Sequence, residues 1–376
     1  MTAGGPFPEF RCVECAGPLT LDTAHGPAHL CCGDGSFTYP LLFHVVPVLL
    51  ASPRYEVASA CLDLREMMSS IDSTIHQLQD SLQSSPRHAA RLERHLAAER
   101  WNRDLLAGLL PLLLRHVSTA DVVEAAVSRA SWSSYSRDAA TILGYLKRDW
   151  SHLPESEREV RAIERSVTRQ LAHHAPHRQR ALVLGAGMGR VAHDLRSSFE
   201  QVVALDASVL MAALFQSVRC GALDFYEISA VNTRTLDDQI VPVRASMNGN
   251  RSASLAGQPD FIYVVASGGA IPLPDASVSV VLSIYFSDVV PFSAYSAEVK
   301  RVLAPGGTFV HYGPLGYHFA GRAEHYPADE FMTELGQLGF DVHEPSWSRS
   351  TLLRTHGRID EWVSNNLCFS ATKRQS

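Results

Sequence analysis

Lysine is scarce in this 376-residue chain: only Lys147, Lys300 and Lys373 occur, so arginine carries nearly all the positive charge. Basic charge is also outnumbered, 33 Lys and Arg against 39 Asp and Glu, for a net charge of −6 and a pI near 6.3. Without a global basic field to recruit it, nucleic acid is disfavoured as a partner. No apolar run approaches the roughly 18 to 20 residues of a membrane span, so a membrane is not expected. Met1 to Phe10 lacks the basic and apolar regions of a signal peptide, and a cytoplasmic location is expected. The seven cysteines are odd in number, and four fall between positions 12 and 32. Without an export signal, such crowding favours metal over disulfides.

The crowded stretch reads Cys12-x-x-Cys15, then Cys31-Cys32-Gly-Asp34, then Tyr39-Pro40. A C-x-x-C pair separates two thiolates correctly for one tetrahedral zinc, and a cysteine sixteen or seventeen residues on suits a zinc ribbon. Cys12, Cys15 and Cys32 are the candidate ligands to a structural zinc. The second knuckle is Cys-Cys, so the fourth ligand stays open among Cys31, Asp34, His25 and His29.

Three units are expected: 1–52, zinc-ribbon-like; 53–175, helical; 176–376, alternating strand and helix. Apolar periodicity in 57–82, 89–116 and 119–130 predicts helices, broken at Ser84-Ser85-Pro86. Pro111 is expected to start or kink a turn, and Pro154 with its following acids to open a helix to His174.

The chain is organised around Ala181 to Arg190, where an apolar run ends in Gly185, Gly187 and Gly189. This predicts a buried strand, a tight turn and a helix start, with bare backbone against which a ligand can lie. Twenty-one residues after Gly185, a second apolar run ends in Asp206, placed to bond ribose hydroxyls. The glycines read G-x-G-x-G with Arg190 next, not the G-x-G-x-x-G of a dinucleotide site. An arginine suits a carboxylate. S-adenosylmethionine, with a ribose, an amino-acid carboxylate and no phosphate, is the expected cofactor. Asp260 and Phe261 could bond and stack on its adenine. Val278 to Ile284 predicts a central strand, and Asp288 just beyond it lies where open α/β sheets bind ligands. The fold class is therefore α/β, a doubly wound Rossmann-like sheet behind a helical region.

From Tyr145 to the C-terminus the chain resembles the carnosine N-methyltransferase family. The matching pieces include Arg148-Asp149-Trp150-Ser151, Gly185 to Arg190, Asn232 to Gln239, Asp260-Phe261, Phe286-Ser287-Asp288, Ala304 to Gly307 and Gly313 to Phe319. Cys12, Cys15, Cys32, Tyr39-Pro40 and Val46 to Leu50 resemble the zinc-ribbon family of methyltransferase activator subunits, which implies a structural or docking role in cis. The first resemblance implies a class I methyltransferase that methylates a histidine imidazole. It implies cofactor contacts at Arg148, Gly185, Asp206, Asp260 and Phe261, and substrate contacts at Asp288 and His318. Asp206 replaces the family's Glu, Tyr145 its Gln, and Glu361-Trp362-Val363-Ser364 its tyrosine-rich tail.

The expected reaction is methylation of an imidazole nitrogen in a small molecule or short peptide, with Asp288 and His318 as catalytic residues. The alternatives are another N- or O-nucleophile in a specialised metabolite, or RNA. A homodimer is left open.

Overall fold

The computed structural model describes residues 10–23, 28–128, 138–247 and 261–375. The expected contacts at Asp260 and the candidate ligand His25 lie outside them. Four short strands come first: β1 (Leu19–Asp22), β2 (His29–Cys32), β3 (Thr38–Leu42) and β4 (Val46–Leu49). A long antiparallel helix pair follows, α1 (Pro53–Ser84) and α2 (Ala89–Leu114), with Pro111 inside the last turn of α2. Proline opens α1, where its missing N–H costs no hydrogen bond. Val57, Cys61, Leu64, Met67, Ile71 and Ile75 form the buried stripe of α1 at helical spacing. Next come α3 (Thr119–Ser128), α4 (Ala139–Trp150) and α5 (Pro154–His174). The Asp138 side chain caps α4 by accepting from the Thr141 N–H at 3.0 Å.

Strand and helix then alternate: β5 (Arg180–Leu184), α6 (Arg190–Leu195), β6 (Gln201–Asp206) and α7 (Val209–Cys220). A small hairpin of β7 (Leu223–Ile228) and β8 (Ile240–Ala245) carries the one-turn α8 (Leu236–Gln239) between its strands. The series closes with β9 (Phe261–Ala266), β10 (Val278–Ile284), α9 (Ser296–Val302), β11 (Leu303–Gly313), α10 (Ala328–Gln337), β12 (Phe340–Val342), β13 (Ser346–Thr351) and β14 (Val363–Lys373).

The main sheet runs β1-β2-β3-β4-β9-β6-β5-β10-β11-β14-β12, with β13 also paired to β14. Strands β4, β9, β6, β5, β10 and β11 are mutually parallel, and β14 runs antiparallel to β11. From β5 the chain winds one way through β6 to β9 and the other way through β10 to β11. This is a doubly wound, Rossmann-like sheet, with its switch point between β5 and β10. The carboxyl ends of β5, β6 and β10 meet there and position the site. Among the described residues no single helix is long and apolar enough to cross a membrane.

The cysteine-bearing strands continue this sheet. Strand β4 is apolar and fully buried throughout because it has neighbours on both sides, β3 and β9. Val48, at 0% exposure, pairs with Val265 of β9. Val48→Ala is expected to cost about 1–3 kcal/mol, the usual range for a small apolar truncation in a core. Urea unfolding followed by circular dichroism should show one transition at a lower midpoint. Two transitions, with only the earlier displaced, would show that the added strands are not coupled to the sheet.

Candidate active site

The turn after β5 is the base of the site. Gly185 has φ 64° and Gly187 φ 55°, the left-handed region that favours glycine. A Cβ at 185 would stand 2.9 Å from the Phe286 ring, so that position admits no side chain. Three elements fix the turn. Asp206, at the end of β6, accepts the Gly187 N–H at 2.8 Å. Tyr263 on β9 donates to the Gly187 carbonyl at 2.5 Å, and the Trp150 indole on α4 donates to the Met188 carbonyl at 2.8 Å. Asp206 also accepts the Ser208 N–H, at 2.9 Å. A carboxylate has about four acceptor positions, so capacity remains for hydroxyl groups of a ligand. Burial raises the Asp206 pKa, and the two amide bonds pull it back.

A cavity of 680 Å³ opens over this turn. Gly185, Gly187 and Asp206 line its base, Arg148 and Tyr145 of α4 one wall, and Tyr285 and Phe286 the end of β10. Tyr55, Glu56 and Asp63 of α1 also line it, so the N-terminal helical region completes its wall. Sequence reading missed these α1 residues, whose contribution depends on a contact across more than a hundred residues. It also missed Tyr285, which the strand-end rule could have found. The hydroxyl of Tyr285 is buried.

The two expected arginines part company. Arg148 lines the cavity, and its Nη2 lies 3.9 Å from where a Cβ on Gly187 would sit. Its Nε donates to Asp149 Oδ1 at 2.6 Å, and its Nη1 lies 4.0 Å from Glu159 Oε1. Burial opposes the Arg148 charge, but Asp149 and Glu159 outweigh it and hold the guanidinium pKa above its ordinary value. Burial pushes Glu159 up to about 7 despite Arg148. Arg190 instead lies behind the turn. It donates to the Asp149 carbonyl at 2.7 Å and Glu157 Oε1 at 2.9 Å, pairs with Asp194, and sits over the Trp150 ring. Its donors are committed to these partners, and Arg190 does not line the cavity.

Phe261 is a second correction. It opens β9 opposite Val202, whereas Asp206 pairs with Val265 at the other end of the same ladder. Its ring packs on Phe215 and His193 and stays away from the cavity.

Phe286 and Val289 line the cavity, but Asp288 between them, only 5% exposed, and the exposed His318 do not. The Asp288 Oδ1 is buried with no hydrogen-bond partner. Burial pushes its carboxyl up to about 6. Burial, with a smaller contribution from the Asp288 charge, raises the phenols of Tyr145 on α4 and Tyr317 after β11. The His318 N–H donates to the Asp288 carbonyl at 2.8 Å, so the structure brings these two residues together through the backbone. Beneath them, Ser287 Oγ lies 2.8 Å from Ser283 Oγ, 2.7 Å from the Tyr295 hydroxyl and 3.2 Å from His311 Nδ1. This buried network fixes the strand end that carries Asp288.

The raised pKa of Asp288 makes its charge a stability liability with a defined sign. The native state holds the proton more tightly, so the penalty is full above pH 6 and absent below the ordinary carboxyl value near 4. Asp288→Asn is therefore expected to raise thermal stability at pH 7.5, by about 3 kcal/mol, and to leave it nearly unchanged near pH 3. Differential scanning calorimetry at the two pH values checks this. Equal or lower stability of the variant at pH 7.5 would contradict it.

Comparison with known proteins bears on the same residues. The family model described as carnosine N-methyltransferase matches residues 128–348, more than half of the chain. Carnosine N-methyltransferase unmet of Drosophila melanogaster is 26% identical over 196 residues, covering 48% of this chain and 42% of that protein. The match thus spans less than half the length of that relative. Among solved structures, a SAM-dependent methyltransferase of Methanosarcina mazei is 15% identical, covering 55% of this chain and 97% of its own, at a TM-score of 0.36. The 1,6-didemethyltoxoflavin-N1-methyltransferase of Burkholderia thailandensis is also 15% identical, covering 63% and 89%, at a TM-score of 0.36. With the matched stretch running from before α4 to β13, across the glycine turn, Asp288 and His318, the chain belongs to the carnosine N-methyltransferase family of S-adenosylmethionine-dependent enzymes.

Proposed function

We propose that this chain transfers a methyl group from S-adenosylmethionine to an imidazole nitrogen of a small molecule or short peptide. The observation that carries the reading is Asp288: a buried carboxylate oxygen without a partner, at the end of β10, beside a cavity built on a glycine turn. When bound, the cofactor supplies an electrophilic methyl group on a sulfonium. Gly185 and Gly187 leave the backbone bare for it, Asp206 accepts from the ribose, and Arg148 holds the amino-acid carboxylate, whereas Gly189 faces the Phe215 ring away from the cavity. The chain's remaining task is to present a nucleophile. A neutral imidazole needs no strong base, only the right nitrogen with a free lone pair. Asp288 accepts the N–H of one ring nitrogen, which leaves the other nitrogen's lone pair free for attack. The ring becomes cationic as the methyl group arrives, and the same carboxylate stabilises that charge. His318 orients the ring or holds a substrate carboxylate. Most of the rate gain comes from positioning.

The zinc-ribbon reading also finds support. The sulfurs of Cys12, Cys15 and Cys32 lie within 4.8 Å of one another, close enough to share one tetrahedral ion after small rotations. We assign them a structural zinc outside the cavity. A second acceptor class, another N- or O-nucleophile in a specialised metabolite, is favoured by one feature. Trp362, in the segment that replaces the tyrosine-rich tail, is 79% exposed and does not line the cavity.

Asp288→Asn should lower kcat about a hundredfold or more, the scale of a lost charge-stabilising group, with S-adenosylhomocysteine affinity within about threefold of wild type. His318→Ala should lower kcat/KM. Wild-type turnover by both variants would end the assignment. The pH profile gives a second test, because the Asp288 carboxyl, near 6, and the imidazole, ordinarily near 6.5, both protonate in acid. The acid limb of kcat/KM should have a slope near two in wild type and near one in Asp288→Asn. Arg148→Lys keeps the charge but loses the planar fork, and should weaken S-adenosylhomocysteine binding about tenfold by calorimetry. An unchanged affinity would remove Arg148 from the cofactor site.

A further inference from the structure

Cys31 and Cys32 are consecutive on β2, and a strand sends consecutive side chains to opposite faces. Leu30 and Cys32 point into the protein, each 2% exposed, and the Cys32 sulfur lies near those of the buried Cys12 and the exposed Cys15. His29 and Cys31 share the other, half-exposed face. Strand β1 pairs antiparallel with β2, Asp22 directly across from His29 and Thr20 across from Cys31, which puts Asp22 on that same outer face. One ligand atom from each of Asp22, His29 and Cys31 lies within 4.8 Å of the other two. The His29 Nε2 to Asp22 Oδ2 distance is 4.0 Å. These residues lie outside the stretch matched by the family model and far along the sheet from the cavity.

We propose that Asp22, His29 and Cys31 form a second metal site, on the outer face of the β1–β2 hairpin, for a divalent ion of the zinc class. A carboxylate oxygen, an imidazole nitrogen and a thiolate are the three donor types zinc accepts, at about 2.0 to 2.3 Å. Tetrahedral geometry at those lengths sets ligand atoms roughly 3.3 to 3.8 Å apart, so about 1 Å of side-chain rotation closes the site. Calcium and magnesium take oxygen ligands, and the nitrogen and sulfur here select against them. Three protein ligands leave the fourth position to water. The bound ion clamps the two ends of the connection between β1 and β2, at the edge of the sheet. The Cys-Cys doublet, which breaks the usual second knuckle of a ribbon, thus serves two centres, one on each face. An ordinary cross-strand His–Asp pair with a thiol alongside is the competing account.

The test uses the full chain, stripped with a chelator, reloaded with zinc and passed through a desalting column before metal analysis. The His29→Ala/Cys31→Ser double variant should carry one zinc fewer per chain than wild type, with S-adenosylhomocysteine affinity unchanged as the check on folding. In wild type, zinc should also slow alkylation of Cys31 by iodoacetamide at least tenfold, as read by peptide mass spectrometry. Asp22→Asn/His29→Ala should lose that protection while Cys32 stays protected. Equal zinc content in wild type and the His29→Ala/Cys31→Ser variant would overturn the proposal. So would a Cys31 alkylation rate that zinc does not change.

Discussion

Three side chains from three separate elements hold the backbone of the turn after β5, and the site depends on their agreement. Asp206 binds the Gly187 amide, Tyr263 its carbonyl and Trp150 the next carbonyl. Each reaches the turn only if β6, β9 and α4 stand correctly around β5. The apolar ladders of the sheet provide that, since β5 is buried along almost its whole length between β6 and β10. The turn can therefore stay open to a ligand on its cavity side while its polar groups are satisfied on the other. A rigid base of this kind suits chemistry that relies on positioning.

The parts of the site legible in the sequence were those written locally. An apolar run, alternate glycines and a second run ending in an acid marked β5, its turn and Asp206, and the structure has these elements where they were expected. The end of β10 was legible for the same reason. The choice between arginines was not. Arg190 follows the glycines directly, but as the first residue of α6 it points away from the cavity into the acids of α5 and α6. Arg148 arrives from α4, and nothing near the glycines announces it. Phe261 shows the limit of reading a strand without its register: a residue at the start of β9 sits at the opposite end of the sheet from the ligand side.

The N-terminal strands pose the same problem on a larger scale. The apolar stretch at Val46–Leu49 was visible, but not its partner β9, more than two hundred residues away. Through that pairing the cysteine-bearing strands extend the catalytic sheet. The helix that follows carries Tyr55, Glu56 and Asp63 to the cavity wall. Residues outside the family-matched stretch therefore shape the cavity, while the tail at 361–364 does not line it.

The central claim concerns which atom accepts the methyl group. The direct measurement is incubation of the protein with methyl-labelled S-adenosylmethionine and a panel of imidazole-bearing compounds, followed by location of the label by NMR. On this account the label appears on a ring nitrogen. Label on an amine, a hydroxyl or a carboxylate of the same compounds, or no transfer from a protein that binds the cofactor, would contradict it.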